Sequence, residues 1–157
     1  TSILAVLGAL LVTLVPSLAE DIVTRGFWLG ALPPRWQQPA RFVPLSAALF
    51  TLNHIYRLGQ GPAEWGLLFS FGLPYAAALA RGGTLWAAVG LHWGWNLANA
   101  LLPFAARVDV RHADAARLLS VLAHLSELAL LLVLPAALLG ARRTRGQDGP
   151  PVLPGPG

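Results

Sequence analysis

Five apolar runs, residues 1–19, 42–58, 64–80, 84–106 and 118–140, alternate along the chain with short polar segments that carry arginine. Each run is close to the roughly 20 residues a helix needs to cross a hydrocarbon core about 30 Å thick. The runs are dominated by Leu and Ala and lack the ~10-residue apolar/polar alternation of a membrane β-strand. The pattern predicts an all-α, polytopic transmembrane helix bundle of about five spans. Pro16, Pro74, Pro103 and Pro135 interrupt or bound these runs and predict kinks or early helix ends. The first run opens at Thr1 without a methionine, so a natural protein extending further N-terminally is expected. It ends at Glu20-Asp21 rather than at a small-residue cleavage site after a basic region, and so reads as a span, not a signal peptide.

Composition supports a membrane class: of 157 residues, 55% are hydrophobic and 11% charged, and mean hydropathy is +0.59, far above the soluble norm. Net charge is +4, and every basic residue is arginine. These arginines stand at span ends rather than in a patch interleaved with aromatics, so nucleic acid is not an expected partner. With the segments after spans one, three and five on one side, that side holds Arg25, Arg35, Arg41, Arg81, Arg142, Arg143 and Arg145, against Arg57, Arg107, Arg111 and Arg117. The excess predicts that the first side is cytoplasmic. The expected organisation is a bundle over residues 1–141, with its motif core at 15–100, and a disordered, Pro/Gly-rich cytoplasmic tail over 142–157. Cysteine is absent, which removes disulfides, thiolate nucleophiles and sulfur ligands.

Polar side chains inside such runs are costly unless they face a bundle interior or a wet cavity, so each is a candidate functional residue. In "EDIVTRG", Asp21 and Arg25 are four apart and can pair on one helix face, leaving Glu20 pointing about a hundred degrees away. In "FTLNHIYR", His54 is expected well inside its span, and Phe50, one turn earlier, can wall a pocket beside it. In "LHWGWNLAN", His92 and Asn96 share a face, Asn99 extends the stripe, and Gly94 is expected to let another helix approach closely. Each motif alone also reads as interhelical packing. Together, a carboxylate, two histidines and an amide from three helices can hold and activate water: Glu20 as general base, and His54, His92 and Asn96 as metal ligands or hydrogen-bond donors to an oxyanion.

The set Glu20-Asp21-x-x-x-Arg25-Gly26, Phe50-x-x-x-His54 and His92-x-x-x-Asn96, in that order, resembles the CAAX protease and bacteriocin-processing family of intramembrane proteases, relatives of the type II CAAX prenyl endopeptidase. The run "FSFGLPYAAALARGGTLWAAVGLH" also looks like the family's approach to its last motif. The family's second glutamate is Asp21 here, and Ala76 stands where many members carry glycine. The resemblance implies an endopeptidase in which Glu20 activates the attacking water, surrounded by His54, His92 and Asn96 and supported by Asp21, Arg25 and Phe50. It implies membrane lipid and a membrane-associated, prenylated or otherwise lipidated peptide as partners, in a bacterial inner membrane, with the site opening toward the cytoplasm.

Two histidines and a carboxylate also suit Zn²⁺ with an open position, which would make His54 and His92 its ligands. Asparagine is a poor zinc ligand and a good oxyanion donor, and a metal-bound Glu20 would leave the base unassigned. Two other classes remain open: an ion-coupled carrier, for which no convincing internal repeat is visible, and a non-catalytic immunity or scaffold protein. The segment "FWLGALPPRWQQPARFVP" reads as an interfacial anchor or a gate for substrate. His124 and Glu127, with Ser120 a turn earlier, read as interhelical packing, and His112, with Asp109, Arg111 and Asp114, as a solvated loop.

Overall fold

The chain is helical through nearly all of the residues that the computed structural model describes, 3–105 and 113–134. Helix α1 (Ile3–Asp21) continues through a π-helical turn (Ile22–Gly26) into α2 (Phe27–Ala31). A single turn, α3 (Pro34–Gln37), precedes α4 (Pro39–Asn53), a 3-10 segment (Ile55–Gln60), α5 (Pro62–Gly82), α6 (Leu85–Ala105) and α7 (Ala113–Val133). Proline opens α3, α4 and α5, where its missing N–H is no loss and its φ is already helical. Helix α5 ends on Gly83, whose left-handed φ of 68° lets its N–H donate to the Leu79 carbonyl at 2.9 Å.

Among the described residues, two helical stretches are both long and apolar enough to cross a membrane: Ile3–Ala31, 29 residues, and Ala113–Val133, 21 residues. The expected five spans narrow to these two by that measure. Helices α5 and α6 have the length, at 21 residues each, but their glycines, prolines, tryptophans and polar residues make them less apolar. The expected span 42–58 is also cut short: α4 stops at Asn53, with His54 as its C-cap, and the chain tightens into the 3-10 segment before Gly61-Pro62. Glycines and a proline ahead leave little from which a regular helix could continue. Pro135, His112, Asp109, Arg107, Arg111 and the expected tail 142–157 lie outside the described residues.

Helices α1 and α7 turn mostly apolar side chains outward, unlike the helices of a protein in water. Helix α1 exposes Leu4, Leu11, Val12 and Val15 and buries Ser17 and Asp21; α7 exposes Leu118, Leu119 and Leu122 and buries His124. Apolar surface turned outward and polar groups turned inward is the arrangement favoured in lipid, where only unmatched polar groups are penalised. Helix α5 is central, packing against α4, α6 and α7, while α6 also packs against α1. The core holds Phe42, Tyr75, Ala76, Leu79 and Ala88.

The α4–α5 contact depends on a missing side chain. A Cβ at Gly72 would stand 2.6 Å from the Ala47 Cα and 3.3 Å from its carbonyl oxygen, and backbone cannot move aside as a flexible side chain would. Small residues that let backbones touch are a principal device of helix association in membranes. Gly94, by contrast, has nothing among the described residues within 4 Å of an added Cβ, so none of them makes the close approach expected there. Gly72→Ala is predicted to lower stability in detergent by about 1–3 kcal/mol through overpacking, and Gly94→Ala to leave it unchanged. Thermal unfolding of the two variants checks this, and equal melting temperatures would contradict it.

Candidate active site

The site is organised by the π turn. Successive β-branched residues, Ile22, Val23 and Thr24, are poor at keeping a tight α-helical turn, and π turns often mark functional positions. Two hydroxyls bind carbonyls around it. Thr24 Oγ1 donates to the Glu20 carbonyl at 2.7 Å, and Ser46 Oγ, from α4, donates to the Thr24 carbonyl at 3.0 Å. The turn is thereby tied to α4, which carries Phe50 and, at its C-cap, His54.

Asp21 and Arg25 form an ion pair from which solvent is excluded, both side chains being 0% exposed. Arg25 Nη1 donates to Asp21 Oδ1 and, at 3.1 Å, to Thr24 Oγ1. Its Nε and Nη2 and the second Asp21 oxygen have no hydrogen-bond partner among the described residues. The guanidinium instead lies 4.9 Å from the Phe50 ring centroid and 5.3 Å from that of Tyr75, close enough for cation–π attraction to compensate in part.

Asp21 Oδ1 also lies 3.2 Å from His92 Nδ1. A carboxylate paired with arginine is an acceptor, so Nδ1 carries the proton and donates to it. His54 Nδ1 is 2.9 Å from the Phe50 carbonyl, which can only accept, and so it too is the protonated nitrogen. In their neutral forms both rings then present a bare Nε2. Both Nε2 atoms face the same atom, Glu20 Oε2, each at 3.7 Å. The histidines are buried, whereas the Glu20 side chain is 26% exposed and marks the open side of the cluster.

Asn96 lies one turn beyond His92 on α6. Its Nδ2 donates to Ser17 Oγ of α1 at 2.9 Å, and Ser17 in turn donates to the Thr13 carbonyl at 2.8 Å. Phe50 packs against both histidine rings, with centroids 4.6 Å from His54 and 5.6 Å from His92. Six of the residues expected at the site, Glu20, Asp21, Arg25, Phe50, His54 and His92, are thus in direct contact. Asn96 joins through α1. Asn53 and Asn99 are exposed, and Asn99 bonds to its own helix at the Trp95 carbonyl.

Over residues 2–98 the chain matches the family described as Type II CAAX prenyl endopeptidase Rce1-like. It belongs to that family. No curated protein and no solved structure matches it. The Rce1-like family is a family of membrane proteases, which confirms the resemblance carried by the three motifs and, with the two apolar spans, makes this an integral membrane protein.

Several contributors to the candidate site of this Rce1-like protein were not picked out from the sequence. Ser17 precedes Glu20 by three and Asp21 by four, a spacing that puts it on their face. Tyr75 lies inside the run leading to the last motif, where nothing distinguishes it from a core aromatic. Glu64 is buried and paired with Arg57, with Arg117 Nε 4.0 Å away, so two of the arginines counted at span ends also compensate a buried carboxylate. Among the described residues, no group of three or more His, Asp or Glu side chains is arranged to hold a metal ion. His54 and His92, the expected zinc ligands, remain a pair.

The buried ion pair has a measurable consequence. Arg25→Met leaves Asp21 without its cation and is predicted to cost about 3–5 kcal/mol of stability. The double variant Asp21→Asn/Arg25→Met should recover part of that loss, because no unpaired charge remains. Unfolding in detergent measures both, and a wild-type midpoint for Arg25→Met would contradict the burial of the pair.

Proposed function

We propose that this Rce1-like protein is an intramembrane endopeptidase in which Glu20 is the general base for a water held between Glu20, His54 and His92. The observation carrying this reading is the approach of both imidazole Nε2 atoms to one carboxylate oxygen at 3.7 Å. That separation is too long for a direct hydrogen bond and suits a bridging water. A water donates two hydrogens, and the bare Nε2 atoms and the carboxylate are acceptors for them.

As the water oxygen bonds to the scissile carbonyl carbon, its proton passes to Glu20. The carbonyl oxygen becomes an oxyanion, for which the free amide hydrogen of Asn96 is the available donor. Collapse breaks the C–N bond, and Glu20 returns the proton to the leaving amine. Asp21, bound to Arg25 and His92, keeps the His92 ring oriented and is not itself the base. No step in this sequence passes through a metal.

The substrate class follows from family and setting: a membrane-associated peptide, with a prenylated C-terminal CAAX segment as the first to test. We infer further that α4, α5 and α6 lie in the bilayer beside the two apolar spans, giving a five-span bundle. The 21 residues of α5 and α6 reach roughly 31 Å. The arginine bias supports a site opening toward the cytoplasm of a bacterial inner membrane.

Purified protein in detergent, given a quenched farnesylated CAAX peptide, should cleave it. Glu20→Gln should lose at least about 10²-fold in kcat, the scale of general-base catalysis, while keeping the wild-type melting temperature. Turnover should survive 1,10-phenanthroline. Turnover by folded Glu20→Gln would overturn the assignment of the base, and loss to the chelator with recovery on added Zn²⁺ would make His54 and His92 metal ligands.

A further inference from the structure

We propose that α7, which lies beyond the matched residues 2–98, positions the catalytic histidine: His124 holds Tyr75, and Tyr75 holds His92. This rests on the peptidase reading only for the consequence in turnover, not for the geometry. The Tyr75 ring is stacked on the His92 imidazole, with centroids 4.8 Å apart and planes 16° from parallel. Phe50 meets the same imidazole edge-on, at 5.6 Å and 78°. Rotation of His92 about its ring torsion, which would carry Nδ1 away from Asp21 and turn a ring carbon toward Glu20 in place of Nε2, is therefore opposed by one ring face and one ring edge. Asp21 fixes the nitrogen that remains.

Tyr75 is in turn held at its far end. Its hydroxyl is 2.9 Å from His124 Nε2. His124 Nδ1 is 2.8 Å from the Ser120 carbonyl, which can only accept, so Nδ1 carries the proton, and the neutral ring leaves Nε2 as an acceptor for the tyrosine O–H. Phe71 stacks on His124 at 3.8 Å and Trp95 packs edge-on at 4.4 Å, so His124 is itself clamped between α5 and α6. Ser120, His124, Tyr75 and His92 form one chain from α7 to the reacting centre, each link a hydrogen bond or a stack. His124 is buried and both its ring nitrogens are hydrogen-bonded, which marks it as a fixed support. Glu127, one turn further along α7, lines the grooves between α6 and α7.

The test uses full-length protein with the quenched farnesylated CAAX peptide and, separately, ¹⁵N-histidine NMR of the same samples. Tyr75→Phe keeps the ring and loses the hydroxyl; His124→Ala loses the acceptor; His124→Gln restores an amide oxygen near the Nε2 position. Both Tyr75→Phe and His124→Ala should lower kcat by about tenfold or more, the scale of a misplaced catalytic group, with KM within about twofold. The double variant should be no worse than either single one, because both break the same link, and His124→Gln should recover most of kcat. In the spectra, wild-type His92 should be a single Nδ1-protonated tautomer, and the two single variants should show a mixture. Wild-type kcat and an unmixed His92 tautomer in both single variants would overturn the proposal, as would losses that multiply in the double variant. If wild type cleaves nothing, the peptidase reading fails, and the tautomer comparison alone decides the positioning.

Discussion

A carboxylate and a guanidinium with no contact with solvent, Asp21 and Arg25, sit at the centre of this bundle, and most other features accommodate them. Two charges removed from water cost more than their mutual attraction returns unless hydrogen bonds and polarisable groups complete their surroundings. The π turn brings Thr24 to Arg25, Ser46 reaches across from α4 to the freed carbonyl, and the Phe50 and Tyr75 rings cover the guanidinium. The same Asp21 oxygen that binds Arg25 receives His92. The expense of the pair thus fixes four elements around one point: the π turn, α4, α5 and α6. Glu20, one residue earlier and partly open, is left outside the pair, as the proposed base requires.

The outward face of the molecule follows from its solvent. In lipid an exposed leucine is no burden, so α1 and α7 can turn apolar residues outward and spend their interior positions on Ser17, Asp21 and His124. The cohesion lost with the hydrophobic effect is replaced by close backbone contact at Gly72 and by hydrogen bonds between helices: Asn96 to Ser17, Trp93 to Thr13 at 3.0 Å, Tyr75 to His124, and Arg81 to the last carbonyls of α7. Asn96 and Tyr75 also belong to the site, so there stability and geometry draw on the same contacts.

Much of the site was legible in the sequence because polar residues in apolar runs are few and helical spacing dictates which of them share a face. Asp21 and Arg25 at i, i+4, Phe50 and His54 at i, i+4, and His92 and Asn96 at i, i+4 all follow from that rule. What the sequence did not disclose depends on tertiary approach. Periodicity cannot show that α4 stops at Asn53 and puts His54 on a cap, that the turn after Asp21 widens to a π-helix, or that Gly94 faces open space while Gly72 faces Ala47. Tyr75 and His124 are separated by 49 residues, and nothing in either neighbourhood announces the other.

The central claim is the division of labour between two adjacent acids, and one comparison of turnover tests it: Asp21→Asn against the double variant Glu20→Gln/Asp21→Asn, both checked for folding. The account predicts reduced but measurable cleavage by Asp21→Asn, because the base remains while His92 is less well held, and cleavage at background when Glu20 is also replaced. Background cleavage by folded Asp21→Asn, together with turnover by Glu20→Gln, would make Asp21 the base and contradict the account.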